Sequence, residues 1–498
     1  MDAMINFIND LLWGSLLVYM LLGAGAYFTV RLGFIQFRHF GHMFSVLKHS
    51  RSGSAAGISS FQALCTSLAA RVGTGNLAGV AIALYLGGPG AIFWMWLIAL
   101  IGMSTAFAES ALAQLYKVTD EKGNYRGGPA YYMERGLGLR WMGALFAIFL
   151  IVAFGLIFNA VQANAISLAM NVAFAIPTWA SGIILSLLAG VIVFGGLRTI
   201  ARFAELIVPM MALAYLLIAL IVVVLNLGQV PNILLLIVKS AFGLEQAGAG
   251  VAGYAVTQAL INGIKRGLFS NEAGMGSAAN AAASAAPFPP HPASQGYIQM
   301  LGVFIDTIVI CTCTAAIILL SGQFEPGSGV TGIELTQRAL ANEVGAWGSP
   351  FIAIAILFFA FTSIVANYAY AENNLVFLEL DNAAGLLTFR LFALGMVMFG
   401  SIGKIDTMWT LAYVSMGLMA MINLVAILLL SGVVIKLAKD YNGQRKLGLL
   451  PTFDVAKYPE LRGQLEEGIW PDTRPPVTQF WRQPPSVSSH DVTQRERD

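Results

Sequence analysis

Apolar residues in this chain come in long runs separated by short polar loops. A helix that crosses a membrane needs about 20 apolar residues. On that criterion the pattern predicts about eleven spans, at residues 9–30, 57–86, 89–116, 142–170, 178–197, 204–227, 251–284, 296–321, 350–379, 386–402 and 408–437. Two of these runs, the second and the seventh, are broken. Segment two carries Arg71-Val-Gly-Thr-Gly-Asn76 in its middle, and segment seven carries Phe269-Ser-Asn-Glu-Ala-Gly-Met-Gly-Ser277. Unwound backbone at membrane depth is tolerated only where protein or a wet cavity satisfies its N–H and C=O groups. Paired breaks in the two halves of a chain mark the central binding site of a transporter. The breaks lie five spans apart, and an odd number of spans inverts the second half relative to the first. Segment one (9–30) is then an extra element before a five-plus-five core over 57–437.

Composition agrees with a polytopic membrane protein. Of 498 residues, 57% are hydrophobic and 11% are charged, whereas soluble domains carry about 25% charged residues. The net charge of +2 gives no footprint for nucleic acid. Cys65, Cys311 and Cys313 lie in apolar segments and read as small hydrophobes, not as a disulfide framework. The amino terminus holds Asp2 and Asp10 with no basic stretch, so no cleavable signal peptide is expected.

Basic residues set the orientation. Arg31, Arg38, Lys48 and Arg51 follow segment one, and Lys117, Lys122, Arg126, Arg135 and Arg140 follow segment three. Arg198 and Arg202 follow segment five, and Lys436, Lys439, Arg445 and Lys446 open the tail. The alternate loops are nearly bare, with Lys239, Arg338 and Lys404. This places the amino terminus outside and the tail (438–498) in the cytoplasm, behind a transmembrane domain over 1–437. The last 20 or so residues are expected to be disordered by composition. Residues 332–341 are amphipathic and predict a short helix over the outer mouth.

Four stretches resemble one known family, the bacterial alanine or glycine:cation symporters. They are Val72-Gly-Thr-Gly-Asn-Leu-Ala-Gly-Val80, Gly87-Gly-Pro-Gly-Ala-Ile-Phe-Trp-Met-Trp96, Arg126-Gly-Gly-Pro-Ala-Tyr-Tyr132 and Phe269–Ser277. Asn367-Tyr-Ala-Tyr-Ala-Glu-Asn373 is similar to the enterobacterial members. The resemblance implies an all-α LeuT-type fold with one extra N-terminal helix. It also implies sodium-driven, or less often proton-driven, uptake of a small neutral amino acid across the bacterial inner membrane, by a protein functional as a monomer. Its expected partners are that amino acid and the lipid bilayer, with no nucleic acid or nucleotide.

The candidate residues follow. Unwinding at Gly73, Thr74 and Gly75 exposes N–H groups at the start of a half-helix, which suits a substrate carboxylate; the alternative is a packing glycine pair. By likeness to the LeuT-type fold, Asn76 ligates sodium; the alternative is an interhelical hydrogen bond. Thr362 and Ser363 are adjacent hydroxyls in an apolar helix. In LeuT-type transporters such a pair meets two carbonyls of the first broken helix, which would belong to Ala69 and Val72, and a hard cation takes such oxygens. The alternative is hydroxyls bonded back to their own helix. In segment four, Asn159, Gln162 and Asn164 are polar at membrane depth, and the family resemblance puts Gln162 at the substrate. The same likeness gives Phe269 as a lid and Asn271 as a polar contact. The resemblance departs at Asn367, where many relatives carry Trp. Asn367 leaves room and adds polarity, which keeps glutamine or serine open beside alanine and glycine. Arg71, Glu109, Glu272, Asp306 and Glu372 are charges inside predicted spans, with Glu109, Asp306 and Glu272 as candidate partners for Arg71.

Other classes fit poorly. A channel would need a ring-forming selectivity loop. A membrane-embedded enzyme would need a His/Asp/Glu constellation, and none of the five histidines lies in a predicted span. No phosphate-binding Gly-x-x-x-x-Gly-Lys-Ser/Thr motif is present, which argues against an ATP-driven pump.

Overall fold

The computed structural model describes residues 2–244, 252–325 and 328–470. Each predicted span is occupied by helix. Among the described residues, eight helices are long and apolar enough to cross a membrane, nine if Ser60–Arg71 and Gly75–Gly87 form one span bent by 49°. Length and composition therefore do not return all eleven. Segment five is the 16-residue helix Thr178–Val193, which at about 1.5 Å per residue is shorter than a bilayer core of about 30 Å. Segment seven, Ala252–Asn271, falls short because it carries Lys265, Arg266 and several amides. Segment eleven ends at Leu429, not 437, and a separate helix Ser431–Lys446 follows.

Each break has a local cause. Segment two starts with a capping box, in which the Ser59 hydroxyl accepts from the Gln62 N–H and the Gln62 side chain accepts from the Ser59 N–H, both at 3.1 Å. Its first half ends at Arg71, Val72 turns out of helix, and π-type winding from Gly75 restarts the segment. In segment seven, Gly274 (φ 97°) and Gly276 (φ 80°) take left-handed backbone that suits glycine, and Glu272 (φ 60°) joins them at a cost. Ala278–Ala283 then resumes the helix.

The two broken segments run in opposite directions. Ile58, at the start of segment two, pairs with Ala285, at the end of segment seven. At the other end, a Cβ on Gly87 would lie 3.1 Å from the Gln258 carbonyl oxygen. The predicted amphipathic helix forms as Gly332–Val344. It seals one end of the bundle: Thr336 Oγ1 donates to Leu77 O (2.9 Å) and Gln337 Nε2 to Ala169 O (3.1 Å).

The described tail packs across the other end, hereafter the tail face. Trp470 Nε1 donates to Leu115 O (3.1 Å), Tyr116 Oη to Gln464 Oε1 (3.0 Å) and Phe453 N to Pro290 O (3.0 Å). His291, a loop residue as predicted, lies 3.2 Å from Asp440. Burial lowers the His291 pKa against the pull of that carboxylate. The residues expected to be disordered lie outside the described ones.

Segments four and ten approach so closely that a Cβ on Gly400 would sit 2.2 Å from the Ala160 carbonyl oxygen. Asn164 Nδ2 binds this junction through Gly400 O (2.8 Å) and Gly403 O (2.9 Å). Overpacking of this kind costs about 1–3 kcal/mol. Gly400→Ala is therefore expected to lower the thermal midpoint of the detergent-purified protein, while Gly395→Ala, where a Cβ meets nothing, leaves it unchanged. Equal midpoints for the two variants would contradict the close approach.

Candidate functional site

Three segments converge on the first break. Thr74 N donates to Gln162 Oε1 of segment four (2.9 Å), and Gly73 N donates to Asn76 Oδ1 (2.9 Å). Ser363 Oγ of segment nine donates to Ala69 O (2.8 Å). A Cβ on Gly73 would lie 2.4 Å from Ser363 Oγ and 2.7 Å from Gln162 Oε1, so only glycine fits between them. The last helical turn before the second break presses on the same place, since a Cβ on Gly75 would lie 2.9 Å from Phe269 Cδ1 and 3.3 Å from Ser270 Cα.

The expected carboxylate cradle is thus not open at two of its N–H groups. Amide oxygens of Gln162 and Asn76 occupy the acceptor positions at Thr74 and Gly73. The reason is the demand that buried N–H groups be paired. Two other donors remain orphaned: Thr74 Oγ1 and Asn271 Nδ2 are buried and have no hydrogen-bond partner. Asn271 Oδ1 accepts from Ala273 N at 3.0 Å. Orphaned buried donors cost about 1–3 kcal/mol each, and a ligand reaching the Thr74 hydroxyl would relieve that cost there.

The sodium residues read from the sequence separate into two groups. Ser363 and Ala69 are brought together. Thr362 Oγ1 instead donates to Phe359 O of its own helix (2.9 Å), and no hydrogen bond joins it to Ala69 or Val72 among the described residues. Ser363 Oγ also lies 3.0 Å from Phe359 O, so both hydroxyls reach back to their own helix and only Ser363 reaches Ala69 as well. Asn76 takes the interhelical alternative, donating through Nδ2 to Asp306 Oδ1 (2.7 Å) and Ser270 Oγ (3.1 Å). Asp306 Oδ2 also accepts from Ser270 Oγ and Thr307 Oγ1, each at 2.7 Å. Sequence reasoning does not single out Ser270 and Thr307. The available signal is the polar pair Asp306-Thr307 in an apolar run, yet spacing alone does not tell that it faces Asn76.

Phe269 covers Gly75, with its ring centroid 4.7 Å from those of Phe158 and Trp409. Asn367 lies one helical turn from Ser363, on the same face. Its Nδ2 donates to Asn159 Oδ1 (3.2 Å), and its Oδ1 is buried without a partner. Arg71 forms no ion pair with Glu109, Glu272 or Asp306 among the described residues; its one hydrogen bond goes to Gln299 O at 3.4 Å. The carboxylates are held by neutral donors instead: Glu109 by Asn423 Nδ2 (2.9 Å), Glu272 by Ser277 Oγ (2.6 Å). Glu372 does find a cation, Arg126, at 3.5 Å.

The sequence model of the sodium:alanine symporter family matches residues 1–455. This chain belongs to that family. The uncharacterized transporter YaaJ of Escherichia coli K12 is 51% identical over 95% of this chain and 99% of its own length. The probable sodium/glutamine symporter GlnT of Bacillus subtilis is 50% identical over 92% of this chain and 94% of its own. The sodium/alanine symporter AgcS of Methanococcus maripaludis is 38% identical over 89% and 98%. Among solved structures, a manganese transporter of Eremococcus coleocola matches with a TM-score of 0.49 and 14% identity, over 83% of this chain and 87% of that one, too distant a likeness to carry an argument.

The different settings of the two adjacent hydroxyls make a sharp test. Ser363→Ala removes the oxygen that faces the broken helix, and Thr362→Ala removes one that faces its own. Loss of a charge-assisted contact is worth about 1.5–3 kcal/mol, or tenfold and more. Where uptake of an amino acid by this chain proves to be sodium-coupled, Ser363→Ala is expected to raise the sodium concentration for half-maximal uptake by at least about tenfold, with Thr362→Ala having a much smaller effect. A larger effect for Thr362→Ala would overturn the assignment.

Proposed function

We propose that this chain is a secondary symporter that imports a small neutral amino acid, alanine or glycine first, driven by sodium through alternating access. The observation that carries the reading is the packing of the first break, at Gly73–Gly75, against the helical turn that leads into the second break on an antiparallel segment, with an orphaned donor on Thr74. The substrate carboxylate replaces the Gln162 amide oxygen at Thr74 N and takes the Thr74 hydroxyl as a further donor. Backbone donors at this position bind any α-amino acid alike, so discrimination falls to the side-chain end, where Phe269 and Phe158 form an apolar wall. Sodium takes the Ala69 carbonyl and the Ser363 hydroxyl as hard oxygen ligands. The Asp306 carboxyl group, held by Asn76, Ser270 and Thr307, adds oxygen ligands beside the break that a hard cation can use.

A second reading favours glutamine. The Asn367 amide oxygen has no hydrogen-bond partner among the described residues, and the probable sodium/glutamine symporter GlnT of Bacillus subtilis is 50% identical over 92% of this chain. Uptake of labelled alanine, glycine and glutamine into proteoliposomes, with and without a sodium gradient, separates the readings. Alanine or glycine uptake that collapses without the gradient is the expected result. Sodium-dependent glutamine uptake alone supports the second reading, and uptake driven only by a proton gradient overturns sodium coupling.

The topology belongs to the same proposal: eleven spans in a five-plus-five inverted repeat with one extra helix, the amino terminus periplasmic and the tail face cytoplasmic. The antiparallel broken segments and the basic loops support it. A cysteine placed near residue 4, ahead of segment one, is expected to react with an impermeant maleimide added to intact spheroplasts. One in place of the exposed Leu447 is expected to react only after lysis. Reaction of both from one side would exclude an odd number of spans.

A further inference from the structure

Beyond the central site lies a second cationic feature that the proposed mechanism does not use. Arg266 sits one turn before Phe269 in segment seven, on the side away from the tail face. Its side chain is 3% exposed, yet Nε and Nη1 have no hydrogen-bond partner and no carboxylate lies within ion-pair distance among the described residues. The guanidinium instead lies over aromatic rings, with Cζ 4.0 Å from the Trp409 centroid and 4.7 Å from that of Tyr413. Its neighbour Lys265 places Nζ 4.7 Å from the Tyr413 centroid and 5.3 Å from that of Trp13. Both cations lie against π-faces; Lys265 also feels the Asp10 carboxylate, whereas Arg266 has no carboxylate partner among the described residues. Cation–π contact offsets part of the cost of burying a charge, but it leaves the N–H groups unmet. A guanidinium in that condition is a receptor for a carboxylate.

Its position gives the carboxylate a destination. Trp409 touches Phe269, Phe269 covers Gly75, and Gly79 lies on the other side, where an added Cβ would meet Arg266 Cδ at 3.9 Å. Arg266, Trp409 and Phe269 form one column that ends on the first break. A ligand entering along this column from the side away from the tail face passes the unpartnered guanidinium before it reaches Gly73–Gly75.

We infer that Arg266 is an outer docking residue that receives the carboxylate of the incoming amino acid before it reaches the backbone at the first break. This rests on the reading of the chain as an amino-acid importer. While the carboxylate is on Arg266 the Trp409 ring is displaced, and handing the ligand inward lets the ring return. The residue acts on entry from one face and leaves the central site unchanged.

The test uses the full chain in right-side-out and inside-out membrane vesicles, with labelled alanine as the probe. Arg266→Gln is expected to raise the half-saturating alanine concentration tenfold or more for entry from the outer face and less than twofold from the inner face. Arg266→Lys, which keeps the charge, is expected to stay within threefold of wild type on both faces. Equal losses on the two faces, or equal losses for Gln and Lys, would mean a packing role and overturn the inference; so would unchanged entry in Arg266→Gln. Should Arg266→Gln fail to assemble, labelling of wild-type Arg266 by phenylglyoxal added outside, read by peptide mass spectrometry, is expected to slow when alanine is present. Labelling indifferent to alanine overturns the proposal. Wild-type vesicles that take up no amino acid would instead refute the importer reading itself.

Discussion

Unpaired backbone at membrane depth is the constraint on which the rest of this structure depends. A helix that unwinds in hydrocarbon must find partners for its freed N–H and C=O groups. Here the partners are side chains: Asn76 for Gly73 N, Gln162 for Thr74 N, and Ser363 for Ala69 O. Each is a polar residue in an otherwise apolar helix, and each owes its place to the group it serves. The break thereby fixes which faces of segments four and nine turn inward, and the amides that fill it are the ones a ligand would replace.

The same constraint accounts for the second break and the charges around it. Glu109 receives Asn423, which also bonds Gly274 O at 2.9 Å, so one amide serves both a carboxylate and an unwound carbonyl. Glu272 is held by Ser277 and Asp306 by three donors. Neutral donors thus replace the ion pairs that a buried arginine among three carboxylates would suggest. Desolvation makes a buried pair costly unless its geometry is good, and hydroxyls and amides reach these carboxylates with less distortion than Arg71 can.

Much of this is legible in the sequence, because a glycine cluster inside an apolar run weakens the helix and persists only where a break or a close backbone approach requires it. The two breaks, the inward role of Gln162 and the contact of Ser363 with Ala69 follow from composition, position and family likeness. The separation of Thr362 from Ser363 does not, since adjacent residues on a helix point about 100° apart and the sequence does not say which one faces the neighbour. The Asp306, Ser270 and Thr307 group is hidden for a related reason: Ser270 lies far along the chain from the other two and meets them only through packing. Span counting fails where polarity accompanies the break, in the amide-rich Ala252–Asn271, and where a helix is short, in Thr178–Val193.

The crossed broken segments touch at two ends, at Ile58 with Ala285 and at Gly87 with Gln258, and are unwound between. A pair of rods pinned only at its tips would splay as a unit. A pair jointed in the middle can part at one tip while the other stays shut, because bending at the joint absorbs the displacement. Under the alternating access proposed above, the polar, glycine-rich interior that weakens each helix is also what keeps the membrane sealed: it decouples the two tips, so that one stays shut when the other opens.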